Sequence, residues 1–385
     1  MSDLAPHSPL GASSAARWMA CPGSHRLIQT LAPRAEHSSP YAKEGTIAHA
    51  GVARCIEHGQ DAWEIVGEQV CPEGVFTAEM SRPVQVMLDL CRPLIAVAEW
   101  SVLEHRIHDP GFHPLFYGQV DFAAVVAEGA DQVLVTVDYK HGAGVAVDVE
   151  DNVQTRYYSL GILRLPECKD VTRVRRIIVQ PRVGGEPVQL AEEEDAADLR
   201  EWGRSVLRPA MDRAEEGGPL VPGSHCQFCP AKLVCPALSA AFRAMATVSA
   251  ASVGLLTDAQ IDMDYSLLPA VNHYTKALKD EVLRRALAGA HFESGKLVRS
   301  RADRVWRVGA EEALHAALGD LIYSTPALLS PAALEKVDPR AKDLTKELAY
   351  TPDTGLTVAA RSDRRVEVAV QPGEQVFASR EEGSS

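Results

Sequence analysis

Two short stretches carry residue types on which divalent-cation chemistry depends. Gly118-Gln119-Val120-Asp121 and Val137-Asp138-Tyr139-Lys140 each place an aspartate at the end of a strand-like run. Asp138 and Lys140 are two apart, so on a strand they project to one face, a carboxylate beside an ammonium. A hairpin between the runs can bring Asp121 to the same edge. Two carboxylates and a lysine are what metal-assisted phosphodiester cleavage needs. Hard oxygens hold Mg²⁺ or Mn²⁺ while leaving waters in place. The ion lowers the pKa of one water and neutralises phosphate charge. The amine orients the attacking water or stabilises the transition state. Taken alone, Asp-x-Lys equally describes a surface ion pair at a strand end, which contributes little.

Flanking stretches supply context. Gly45-Thr46-Ile47-Ala48-His49 lies on a predicted helix, where His49 could offer an imidazole to the same ion. The bland alternative is a satisfied core or surface histidine. Gln154-Thr155-Arg156-Tyr157-Tyr158 lies on another predicted helix, with Gln154 and Tyr158 on one face. An amide and a phenol there can position a lysine, a water or a phosphate. The alternative is a solvated face with tyrosines packed inward.

A second constellation is Cys226-Gln227-Phe228-Cys229 followed by Cys235. Three thiols this close point to a metal site. A tetrahedral zinc or a four-cysteine iron–sulfur cluster needs a fourth ligand. Cys21, Cys55, Cys71, Cys91 and Cys168 are the candidates, and spacing does not choose among them. Cys91 falls on the apolar face of a predicted helix and reads as core.

The elements that must position these groups follow from periodicity. Residues 41–60 and 79–100 read as helices, the second through Val84, Met87, Leu88, Cys91, Leu94 and Ile95. Ser101–Ile107 alternates as a strand. Leu115–Val126 and Gln132–Tyr139 read as a hairpin around Glu128-Gly129-Ala130-Asp131. Asp151–Arg164 reads as a helix, Arg175–Gln180 as a strand and Leu190–Glu216 as a helix, the order of an α/β core with a mixed sheet. Beyond the cysteine loop at 219–236 the composition changes, and a domain boundary is expected near residue 245. Val271–Leu287 reads as an amphipathic helix, the remainder as helix and loop, and the last ten residues as a disordered tail.

The chain has 385 residues, 46% of them hydrophobic, which predicts an ordinary globular protein of two domains. A formal net charge of −13 makes a poor generic binder of nucleic acid or anionic membrane, while allowing a local basic groove. No run of about 18 apolar residues predicts a membrane span. The absence of a secretory leader, with eight cysteines, predicts a reducing cytoplasm. Lys296, Arg299, Arg301, Arg304 and Arg307 surround Trp306, a pattern suited to phosphates and a stacked base, or to a solvated strand or loop. Arg173, Arg175 and Arg176 form another basic group. Arg156, nearer the carboxylates, is a candidate phosphate contact.

The ordered set Gly-x-x-x-His, Gly-x-x-Asp, Asp-x-Lys and Gln-x-x-x-Tyr resembles the RecB-like branch of the PD-(D/E)XK nuclease superfamily, over roughly residues 13–240. One departure is Val120, where that family often has proline before its first acidic position. The resemblance implies a restriction-endonuclease-like α/β core, a mixed β-sheet flanked by helices, at 1–245; beyond it the sequence pattern gives a mostly helical accessory domain at 246–375, whose basic cluster is a candidate DNA contact, and a tail at 376–385. The resemblance also implies that His49, Asp121 and Asp138, with the backbone carbonyl of Tyr139, hold Mg²⁺ or Mn²⁺. Lys140 would be the catalytic lysine, with Gln154 and Tyr158 as the motif on the following helix. Glu104 is a further acidic neighbour. Some RecB-like nucleases carry a [4Fe–4S] cluster with one leading cysteine and three trailing ones. Ser14–Pro22 looks like that leading segment, which assigns Cys21, Cys226, Cys229 and Cys235, with zinc as the alternative occupant. The whole chain looks like a phage-borne nuclease-like family, placing it in the host cytoplasm. The implied activity is a metal-dependent DNA exonuclease, acting on ends or single strands in recombination, replication or processing. The alternative is a non-catalytic iron–sulfur module that binds DNA alongside recombination or replication proteins.

Overall fold

The computed structural model describes residues 7–31, 40–143, 146–183, 187–191, 193–246, 257–300, 303–324, 327–338, 340–352, 355–360 and 366–368. The expected tail at 376–385 and Arg301 lie outside them. The fold is mixed α/β, and the chain divides into two compact units, Met1–Tyr274 and Thr275–Ser385.

The first unit opens with α1 (Ala15–Ala20), α2 (Gly23–Gln29) and α3 (Pro40–His58). A small ribbon, β1 (Gln69–Cys71) with β2 (Gly74–Val75), precedes α4 (Ala78–Val97). Then come β3 (Trp100–His108), β4 (Tyr117–Glu128), β5 (Asp131–Tyr139), α5 (Val153–Leu163) and β6 (Arg173–Val179). β3, β4 and β5 are antiparallel neighbours, and Gly129 takes the left-handed φ of 67° at the β4–β5 turn. The crossover through α5 brings β6 parallel to β5. β7 (Val188–Leu190) and β8 (Glu194–Asp195) both pair antiparallel with β6.

The expected helix from Leu190 therefore starts later. Its first residues close the sheet edge, and α6 (Ala196–Trp202) and α7 (Arg208–Glu216) follow, joined by a π turn. β-ladder partners on β6 outweigh the helical reading of the acidic run there.

The sheet is covered on both faces. Trp18, Val125, Leu134, Tyr157, Leu160 and Met211 share one apolar cluster with α1, α5, α6 and α7. Phe76, Val84, Met87, Leu88, Phe122, Val135 and Val137 share the other with α3 and α4. Each fully buried large side chain contributes about 1.5–3 kcal/mol. Gly161 is where α5 meets β3: a Cβ there would lie 2.2 Å from Cδ1 and 3.2 Å from Cβ of buried Ile107. Gly161→Ala gains about 1 kcal/mol of helix propensity, but overpacking a β-branched neighbour costs about 1–3 kcal/mol. Urea denaturation should show a net loss, carried by the helix that holds Gln154 and Tyr158.

α8 (Pro236–Ala246) and the start of α9 (Asp258–Leu287) group with the first unit, so the division falls beyond the boundary expected near 245. Leu238, Ala270 and Tyr274 pack on Cys226 and Cys235, which ties these helices to the cysteine loop. The second unit combines helices α10 (Ala310–Leu318), α11 (Pro331–Val337) and α12 (Ala341–Leu348) around Leu314, Ile322 and Leu334. Its strands form two-stranded ladders such as Gly295–Arg299, within the stretch read as strand or loop, with Leu356–Ala360. Among the described residues no helix is long and apolar enough to cross a membrane.

Candidate metal centre

The site forms where strand pairing fails. β4 and β5 pair from Glu128↔Asp131 to Phe122↔Val137 and then part. Instead of continuing the ladder, the Asp121 carboxylate accepts the Tyr139 amide at 2.7 Å. On the other side β3 and β4 pair at Leu103↔Phe122 and again at His105↔Val120, skipping the residues between. Glu104 sits there at φ 48°, a left-handed conformation that costs a non-glycine residue about 1–2 kcal/mol. Val120 and Phe122 fall in opposite cores, so the two-residue alternation breaks at Asp121. The irregularity brings both acids to one place.

His49, on α3, closes the group. Its Nδ1 lies 3.2 Å from Glu104 Oε1 and 3.5 Å from Asp121 Oδ1. One ligand atom from each of the three lies within 4.8 Å of the others. The buried Tyr139 ring meets the imidazole edge-on at 5.4 Å. Gln119 Nε2 donates to the other Glu104 oxygen at 2.6 Å. Asp138 is 6% exposed; its Oδ2 lies 2.7 Å from Lys140 Nζ, and its Oδ1 accepts from Gln154 Nε2 at 3.2 Å. Tyr158 stands over Gly118, where a Cβ would lie 3.1 Å from its Cε1.

Three carboxylates thus face one imidazole and one ammonium. Burial, with Asp138 and Glu104 close by, holds the Asp121 carboxyl well above the usual range. Burial opposes charge on His49, but Asp121 and Glu104 outweigh it and raise the imidazole to about 9. Burial, then Asp138 and Asp121, push the Tyr158 phenol up, so it stays protonated. The surplus negative charge and hard donors fit a divalent cation. A cavity of about 680 Å³ opens onto His49, Glu104, Asp121 and Tyr158.

The expected residues are thus brought together with one change of rank. Glu104, a loose neighbour in the sequence reading, joins His49 and Asp121 in the inner group, while Asp138 is engaged by Lys140 and Gln154. No sequence pattern marks Glu104, because its placement follows from a local break in β3. Tyr139 meets Asp121 through its amide, and its phenol bonds His141 Nδ1 at 2.8 Å.

Cys21, Cys226, Cys229 and Cys235 line one small cavity, together with Arg17. The Val221 amide donates to Cys21 Sγ at 3.2 Å, and the Gly23 amide to Pro219 O at 3.0 Å. A Cβ on Gly23 would lie 2.4 Å from Gly218 O, so only glycine permits this approach of backbone to backbone. The other cysteines lie elsewhere: Cys55 and Cys91 in the core under α3 and α4, Cys168 in the opposite core, Cys71 on β1. Burial pushes the Cys55 thiol up to about 11 and those of Cys91 and Cys168 to about 12. Against an ordinary thiol, that lowers their thiolate fraction about 10²–10³-fold. Burial raises the Cys71 thiol too, but Cys71 is only half-buried, so iodoacetamide labelling of native protein at mildly alkaline pH, mapped by mass spectrometry, should modify it while sparing these three.

The expected phosphate contacts are mostly engaged within the fold. Arg156 pairs with Glu194 at 2.6 Å and lies over the Trp202 ring. Arg304 pairs with Glu335 at 2.5 Å, and Trp306 Nε1 donates to Leu329 O at 3.0 Å. In the fold these three side chains also make internal ties, to two carboxylates and a carbonyl. Arg299 lies on the exposed side of its strand. Arg173 and Arg175 are held by Glu128 and Glu193.

Fold and site define a mixed α/β protein with a histidine–carboxylate centre at a splayed strand pair. The chain belongs to the family described as "Protein of unknown function (DUF2800)", which matches residues 7–366. A solved structure titled "Crystal structure of SSO0001" is 13% identical, covering 56% of this chain and 95% of that one, with a TM-score of 0.23.

Proposed function

We propose that this protein is a divalent-metal-dependent DNA nuclease acting from ends, of the RecB-like PD-(D/E)XK type. The observation that carries the reading is the convergence of His49, Glu104 and Asp121 beside the Asp138–Lys140 pair, at the mouth of an open cavity. His49, Glu104 and Asp121 would hold Mg²⁺ or Mn²⁺, which when bound supplies an activated water and offsets phosphate charge. Gln154 holds Asp138, and Asp138 holds the Lys140 ammonium. That ammonium is then available to orient the attacking water or meet charge developing on the phosphate. The protonated Tyr158 phenol can donate to a phosphate oxygen. Cys21, Cys226, Cys229 and Cys235 line one cavity, and four thiols are the donor types of a [4Fe–4S] cluster or of zinc, although among the described residues no three of them lie within 4.8 Å of one another.

The test is digestion of end-labelled linear DNA and closed circular DNA with Mg²⁺, Mn²⁺ or EDTA. Linear DNA should be degraded only with metal, and circles spared. Intact single-stranded and duplex DNA after incubation with both metals would overturn the reading, and DNA bound but recovered intact would favour a non-catalytic module. Iron and sulfide analysis, with absorbance near about 400 nm, separates cluster from zinc.

A further inference from the structure

Tyr139 closes β5 and is 2% exposed, and it meets the metal centre through two of its parts. Its amide donates to Asp121 Oδ2 at 2.7 Å, and its ring meets the His49 imidazole edge-on at 5.4 Å. Asp121 belongs to β4 and His49 to α3. The place of this one side chain therefore sets the spacing between two members of the inner group. The ring is held at its far end, where the phenol bonds His141 Nδ1 at 2.8 Å.

His141 is 4% exposed. Its Nε2 faces Glu44 Oε1 at 3.5 Å, and the same oxygen takes the Arg182 guanidinium at 2.6 Å. Glu44 lies on α3, the helix that carries His49, and Arg182 follows β6. The Nε2 contact is longer than an ordinary hydrogen bond, and Nε2 makes no hydrogen bond among the described residues. A lone pair there would face a carboxylate, so Nε2 carries the ring proton. Nδ1 is then the acceptor, and the Tyr139 phenol, which burial keeps protonated, is the donor. An apolar side chain would fill this space without the cost of enclosing an imidazole whose N–H is under-satisfied. The polar chain from Arg182 through Glu44 and His141 ends on the one residue that touches both His49 and Asp121.

We propose that His141 is a positioning residue of the metal centre. Oriented by Glu44, it fixes the Tyr139 phenol, and Tyr139 in turn holds the His49 ring and the Asp121 carboxylate at the separation a divalent ion needs. His141 itself touches neither the ion nor a substrate. The proposal rests on the metal-binding part of the nuclease reading and is independent of what the centre cleaves.

The test uses the full-length protein with Mn²⁺ as the probe. Calorimetry reads the affinity, and electron spin-echo modulation of the bound Mn²⁺ reads whether an imidazole nitrogen coordinates it. The parent should show that nitrogen, and His49→Ala should not. His141→Leu should weaken Mn²⁺ binding about 10–100-fold, the size of effect that outer-shell partners have, and diminish the nitrogen signal. Tyr139→Phe keeps the ring and the amide and removes only the hydroxyl, and it should do the same. The double variant should lose no more than either single one, because both break one bond. His141→Asn should bind like the parent, since its side-chain amide can accept from the phenol in place of Nδ1. Melting temperature in EDTA is the folding control, and Tyr139→Phe carries the test if His141→Leu does not fold. Losses that add in the double variant, or a nitrogen signal unchanged in Tyr139→Phe, overturn the positioning role and leave the metal centre standing. If the parent binds no Mn²⁺, the metal centre fails and the proposal fails with it.

Discussion

Asp121→Asn is expected to abolish metal-dependent DNA cleavage, by at least about 10³-fold, and to make the metal-free protein more stable. The two effects share one cause. Asp121 is a carboxylate held above its usual range by burial, with Asp138 and Glu104 adding to the repulsion. Asparagine keeps the shape and can still accept the Tyr139 amide, so the local backbone is retained. What goes is a buried negative charge and a hard ligand. Losing about 4 kcal/mol of transition-state stabilisation corresponds to about 10³ in rate.

The stability change has a defined pH course. An acid whose pKa is raised by folding binds more protons in the native state. Stability therefore falls as pH rises from the unfolded value through the raised one. Asp121→Asn removes that loss. In EDTA its melting temperature should exceed the parent's at neutral and alkaline pH, by the equivalent of about 1–3 kcal/mol, and the two should converge near pH 4. A variant that melts below the parent at neutral pH, or still cleaves, contradicts this account.

Lys140→Ala is expected to separate binding from chemistry. Its ammonium lies 2.7 Å from Asp138 and is one of two cationic groups among three carboxylates. Removing it leaves the site more negative, so Mn²⁺ affinity by calorimetry should hold or increase. Cleavage should nevertheless fall about 10²–10³-fold, because the group that meets developing phosphate charge is gone. Loss of Mn²⁺ binding in Lys140→Ala would make the lysine structural. Unchanged cleavage would remove it from the chemistry.

Local pattern made much of this molecule legible. The apolar runs at 115–126 and 132–139, split by Glu128-Gly129-Ala130-Asp131, marked the two strands, and the two-residue spacing of Asp138 and Lys140 placed them side by side. The helical spacing of Val84, Met87, Leu88 and Cys91 marked the buried face of α4. Cys-x₂-Cys-x₅-Cys signalled a thiol site, since such a run needs no long-range information. These features depend on side-chain period and on short chain reach, which the order of residues determines directly.

Other features exist only once distant elements pack. Glu104 becomes part of the inner group because β3 adopts φ 48° opposite Asp121, a conformation no propensity favours. His49 reaches those acids because α3 packs in the core under the same sheet edge. Arg156, Arg304 and Trp306 look available in the sequence, but the fold brings each a carboxylate or carbonyl that satisfies it. Leu190 and Glu194–Asp195 pair along a sheet edge because β6 has unpaired backbone groups to offer. Residue order encodes which faces are apolar and which spacings are short. Which charges meet, and which remain free, is decided by packing, because electrostatic partners are selected by distance in space and not along the chain.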